Sequence, residues 1–190
     1  MYNINQLKEL VNNNKELTIT RLQKLIQIPS VLDHYDESST TPFGKNINDA
    51  LNFMLDTAAS DGFKVYNDCG FAGRIEYSNS NNKDSKIVGI LGHLDVVPVG
   101  NINNWEFDPF CGDIKDGRIL GRGTQDDKGP VVACYTALKL IKDMGIKLKN
   151  RIHFILGTDE ETGWRGVEHY FKTGEILPDP TLKEKMNQRM

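Results

Sequence analysis

The sequence predicts an α/β fold, a mixed, largely parallel sheet with helices on both faces. Three observations carry that expectation. Strand-like and helical apolar patterns follow one another along the chain, the order expected of a sheet covered by helices. Two runs, 87–94 and 152–156, are almost continuously apolar, as strands buried on both faces of a sheet are. Blocks rich in Gly, Asp and Glu lie at or after predicted strand ends, where open α/β sheets place their ligands.

Taken in order, Ile4, Leu7, Val11, Leu17, Leu22 and Leu25 recur at helical spacing, with a weak point at residues 12–14 and a stop at Pro29. Residues 30–44, rich in Ser, Thr and Asp, read as a loop, and 47–59 as an amphipathic helix ended by Asp61-Gly62. Short strands are expected at 63–66 and 74–77, a polar turn at 79–84, and a buried strand at 87–94. Asp116-Gly117 is a two-residue hairpin signal. A helix at 130–144 is stopped by Gly145. A buried strand at 152–156 and a helix opening over 163–172 complete the pattern.

At 190 residues the chain holds one ordinary domain with a core, and a net charge of −3 gives no electrostatic reason for nucleic-acid binding. The first nine residues show no basic stretch followed by an apolar core, so no secretory signal is expected. No window reaches the about 18 apolar residues of a membrane span. The three cysteines, Cys69, Cys111 and Cys134, are far apart and suit neither a disulfide framework nor a Cys-based zinc site. A cytoplasmic protein is the simplest expectation.

Three blocks carry chemistry. In the first, Gly92-His93-Leu94-Asp95, His93 and Asp95 stand two apart and share a face on an extended strand. A metal-bound imidazole needs a carboxylate on its other nitrogen, and Asp95 is placed for that. A core histidine beside a turn aspartate is the other reading. The second, 121–130, sets Asp126 and Asp127 before Pro130. A helix N-cap explains one acid, whereas a nearby cation better explains two adjacent ones. The third, Asp159-Glu160-Glu161, follows a buried strand, and three consecutive acids there are costly unless exposed, protonated or metal-bound. Acids favoured by a helix N-terminus are the alternative.

In order and spacing, GHLDVVPVG, NWEFDPF, GRGTQDDKGP and TDEETGW resemble the co-catalytic zinc peptidases, which include aminoacylases, desuccinylases and glutamate carboxypeptidases. TQDDKGP and DEETGW are most similar to the bacterial PepV-type dipeptidases, also described as Xaa-His or carnosinase-like. The likeness runs from about residue 17 to 178. It implies two Zn2+ per complete site, with Mn2+ or Co2+ as alternatives, and a small peptide as substrate. It implies that His93 binds one zinc with Asp95 orienting it, that Asp126 bridges both ions, and that the Asp126–Asp127 peptide link is cis. Glu161 would bind the second zinc and Glu160 serve as general base and then general acid. Trp105 and 107–110 would lie near the site without chemistry. His34, His153 and His169 are read as structural.

The resemblance also sets an expected organisation: 1–178 as the N-terminal part of the zinc-peptidase catalytic domain and 179–190 as a non-matching tail. The lid domain and C-terminal catalytic segment are absent, as in a truncated or frameshifted frame. With each metal short of a ligand, weak zinc binding and low activity are expected, together with an exposed sheet edge. The leading expectation is dipeptide hydrolysis by metal-activated water. Its alternatives are an N-acyl amino acid deacylase of the same family, a non-catalytic remnant, and a generic α/β binding domain using these acids as caps.

Overall fold

The computed structural model describes residues 2–78 and 85–173. The polar turn expected at 79–84 and the tail expected at 179–190 lie outside the described residues. Helices α1 (Ile4–Asn13), α2 (Lys15–Ile26) and α3 (Lys45–Ser60) come first, then strands β1 (Lys64–Asn67), β2 (Ala72–Tyr77) and β3 (Ile87–His93). A small hairpin, β4 (Ile114–Lys115) and β5 (Arg118–Ile119), precedes α4 (Lys128–Asp143), β6 (Arg151–Gly157) and α5 (Arg165–Thr173). The weak point expected at 12–14 is a real break. Asn14 ends α1 and starts α2, and its side-chain amide donates to the Leu10 carbonyl at 2.9 Å.

The four-stranded sheet has the order β1-β2-β6-β3, with helices on both faces. Leu51 and Met54 of α3 and Val131 and Tyr135 of α4 pack with Ile75 and Phe154 on one face. On the other, Tyr170 of α5 packs with Ala72 and Ile155. The sheet is mixed, as expected, but among the described strands it is not largely parallel. Only β3 and β6 run parallel, while β1–β2 and β2–β6 are antiparallel. The connections explain this. A four-residue turn can join β1 to β2 only as a hairpin, whereas the long segment carrying α4 permits a parallel crossover from β3 to β6.

A second expectation fails at β3. Its apolar sequence predicts burial on both faces, yet Val88 and Leu91 are each 45% exposed. Among the described strands β3 is outermost, paired only with β6, which leaves these side chains open to solvent. The hairpin signal holds: Asp116 and Gly117 both take positive φ (51° and 74°), the combination a two-residue type I′ turn requires.

The β3–β6 crossover creates the edge on which the acidic blocks meet. Parallel pairing sets His93 opposite Gly157, so both strands deliver their C-terminal ends to the same edge. Helix α4 starts there too, pressed so closely on β3 that a Cβ on Gly92 would lie 2.7 Å from Val131 Cγ2 and 3.0 Å from Asp127 Oδ2. Lys128, fully buried at the start of α4, donates to the Leu25 and Ile28 carbonyls at 2.9 and 2.6 Å. That anchors the helix start to the end of α2.

His153, 3% exposed on β6, has no hydrogen-bond partner for either ring nitrogen among the described residues. Burial and then the Arg74 guanidinium lower its pKa to about 4, Glu76 opposing and Arg151 adding to the shift. The unfolded chain, titrating near 6.5, therefore takes up a proton that the fold refuses. Stability is unaffected above about pH 6.5 and falls as pH drops toward 4, by up to about 3 kcal/mol. Urea denaturation at pH 7 and 4.5 should show this loss, and His153→Phe should remove most of it.

Candidate metal and catalytic site

His93 is the last residue of β3, and the chain turns immediately beyond it. Ser30 holds that turn. Its buried hydroxyl donates to the Leu94 carbonyl at 2.6 Å, and its own carbonyl accepts from Val96 N at 3.0 Å. Asp95 is thereby directed into the protein, 1% exposed. One of its carboxylate oxygens accepts from Glu160 N at 3.1 Å and the other from Glu161 N at 2.9 Å. His93 Nδ1 lies 3.3 Å from the same carboxylate and 3.1 Å from the Asp95 backbone oxygen.

The Nδ1 edge of the ring is therefore held by Asp95, and Nε2 points outward. It lies 3.1 Å from Asp126 Oδ1 and 3.7 Å from Glu160 Oε2. Ligand atoms of His93, Asp126 and Glu161 all fall within 4.8 Å of one another. The structure thus brings these three residues together, with Glu160 beside them and Asp95 behind. The Asp126–Asp127 peptide bond is cis.

Helix capping accounts for little of the acidic blocks. Asp127 occupies the N-cap position of α4 but makes no side-chain cap hydrogen bond. Its Oδ2 instead accepts from His93 N at 3.1 Å, fixing the end of β3. In the third block capping falls to one acid. Asp159, 1% exposed, accepts from Arg165 Nε at 2.8 Å and Gly166 N at 2.9 Å, and its backbone oxygen accepts from Thr162, Gly163 and Trp164 N. Neither Asp127 nor Asp159 carried a role in the sequence. The signal available was only that each sits in a run of adjacent acids, which did not show which one turns inward.

Electrostatics follow from this crowding. Burial disfavours the His93 imidazolium, but the Asp95, Glu160 and Asp126 carboxylates outweigh it and push the pKa up to about 9. Burial, then the neighbouring Asp126 charge, raises Glu161. Burial raises Asp159 as well. Three carboxylates facing one imidazole leave an excess of negative charge that a cation would offset. Nitrogen and oxygen donors in this arrangement, with the imidazole oriented from behind by a carboxylate, suit a hard or borderline divalent ion.

The remaining histidines stay outside this cluster. His34 lies 3.2 Å from Asp33, and His169 lies 3.0 Å from Asp68 while stacking on Phe71. Trp105 donates to the Val99 carbonyl at 2.9 Å, meets Phe107 edge-on and carries Arg122 over its ring. All three cysteines are free.

Known proteins resemble this chain in sequence and in fold. The model of peptidase family M20/M25/M40 matches residues 89–186, a span that contains His93, Asp126 and Glu161. The Bacillus subtilis protein named "Putative dipeptidase YtjP" is 43% identical over 172 residues, 90% of this chain but 35% of that protein. The chain therefore spans about a third of the length of this relative. Human carnosine dipeptidase 1 superposes with a TM-score of 0.69 at 24% identity, over 86% of this chain and 36% of that one. The Saccharomyces cerevisiae dipeptidase Dug1p gives 0.68 at 22%, over the same shares. At these identities the two structures speak for the fold.

Two outcomes are expected for metal binding. His93 holds a proton below about pH 9 in the metal-free chain, and a metal must displace it. Affinity for Zn2+ should therefore rise from pH 6 to 8, by about tenfold per unit for a single displaced proton. Calorimetry in buffers of different ionisation enthalpy should show that proton released, and His93→Ala should abolish both signals. Asp127→Ala, which frees the end of β3, should weaken Zn2+ binding by about 10–100-fold.

Proposed function

Because the chain belongs to peptidase family M20/M25/M40, we propose that it carries the metal-bearing part of a zinc-dependent dipeptide hydrolase. The observation that supports this most directly is the convergence of His93, Asp126 and Glu161 beside Glu160, with Asp95 tying the two strand ends together. In this reading His93, Asp126 and Glu161 would hold divalent zinc, their nitrogen and oxygen donors suiting such an ion. When bound, such ions would supply Lewis acidity at the scissile carbonyl and lower the pKa of the attacking water. Glu160, whose Oε2 stands 3.7 Å from His93 Nε2, takes the proton of that water and passes it to the leaving nitrogen.

Dipeptides are the proposed substrates because the 43% identical relative carries a dipeptidase name. Cytoplasmic action is proposed with them. Three free cysteines suit a reducing compartment, and no helix among the described residues is long and apolar enough to cross a membrane.

A second reading has its own support. Three candidate ligands among the described residues are few for two ions. The chain would then bind metal without catalysis. Zinc-loaded chain incubated with Leu-Leu, with amino-acid release measured over time, separates the two. Glu160→Gln should lower hydrolysis by at least about 100-fold while leaving zinc stoichiometry unchanged. His93-dependent metal binding with no cleavage by the parent chain would instead favour the non-catalytic reading.

A further inference from the structure

Three residues beyond Glu161, Trp164 combines two features that disfavour it there. Its φ is +61°, a left-handed conformation that crowds any side chain with a Cβ and is uncommon for bulky residues. Its side chain is also 42% exposed, although an indole gains most by burial. Nothing in the surrounding protein compensates, since among the described residues the ring makes no aromatic or cation–π contact and its Nε1 has no hydrogen bond.

The backbone beneath it, in contrast, is firmly set. Trp164 N donates to the Asp159 carbonyl at 2.9 Å, and the Trp164 carbonyl accepts from Glu168 N at 2.9 Å, starting α5. On either side, the buried Asp159 carboxylate takes Arg165 Nε and Gly166 N, and the Arg165 guanidinium lies 4.1 Å from the centroid of Tyr35. The indole is thus presented by a rigid turn, on the same loop as the proposed base and zinc ligand. Strained, exposed residues at such places tend to be there for function.

We propose that Trp164 is a specificity-determining residue, its indole forming a wall for an apolar side chain of the dipeptide beside the scissile bond. This rests on the dipeptidase reading and adds a substrate class to it: dipeptides with a branched aliphatic or aromatic residue, in preference to Gly-Gly. Zinc and the carboxylates recognise groups that every dipeptide shares, so discrimination between side chains has to come from an apolar surface such as this one.

Non-hydrolysable reduced-amide analogues of Leu-Leu and Gly-Gly, titrated calorimetrically into the zinc-loaded chain, test it. The parent should bind the Leu-Leu analogue more tightly. Trp164→Ala should weaken that analogue by about tenfold and leave the Gly-Gly analogue within about twofold. Trp164→Phe should keep most of the preference. Trp164→Gly, free of the positive-φ penalty, should raise Tm while losing the preference, which separates selectivity from stability. Unchanged Leu-Leu binding in Trp164→Ala, or an equal loss for both analogues, would overturn the proposal and leave the dipeptidase reading standing. Failure of the parent to bind either analogue in a zinc-dependent way would bring down that reading, and this proposal with it.

Discussion

One carboxylate joins the two halves of the site. Asp95 accepts from the backbone N–H groups of both Glu160 and Glu161 while standing 3.3 Å from His93 Nδ1. These three groups belong to the ends of two strands some 65 residues apart in sequence. A carboxylate buried at 1% exposure without such donors would be strongly disfavoured, so the contacts that satisfy Asp95 also fix where Glu160 and Glu161 stand. Metal geometry and proton-transfer geometry are set by the same anchor.

Around that anchor the acids fall into two groups. Asp95, Asp127 and Asp159 turn inward and accept hydrogen bonds from backbone N–H groups or from Arg165. Asp126, Glu160 and Glu161 turn toward the open edge, where Asp126 is 76% exposed on its side chain. The inward acids stabilise the local chain through charge-assisted hydrogen bonds; the outward ones crowd together, and Glu160 and Asp126 add to Asp95 in raising the His93 pKa. Such a concentration of like charge costs stability in a metal-free chain, and its natural compensation is a cation. Buried Lys128 supports the arrangement from behind, since its contacts with the end of α2 fix the helix start from which Asp126 and Asp127 project.

Topology makes the convergence possible. Of the three pairings in the four-stranded sheet only β3–β6 is parallel, and that pairing alone carries two C-terminal ends to one edge. The crossover between them brings the start of α4 to the same place, so three distant blocks meet at one edge. The absent side chain of Gly92 lets α4 approach closely enough for Asp127 to reach the β3 backbone.

Much of this was legible in the residues. Helical spacing located α2, α3 and α4 to within a few positions, Asp116-Gly117 marked the hairpin, and the Gly-, Asp- and Glu-rich blocks marked the edge where a site forms, because these signals depend on local chain geometry and on the cost of adjacent charges. What the tertiary structure decided was relational. Whether β2 runs with or against β6, whether β3 is covered, and which member of Asp126-Asp127 or Asp159-Glu160-Glu161 turns inward all depend on partners far along the chain. Neighbouring acids are chemically equivalent in one dimension; only a backbone N–H or a guanidinium delivered from another element makes them different.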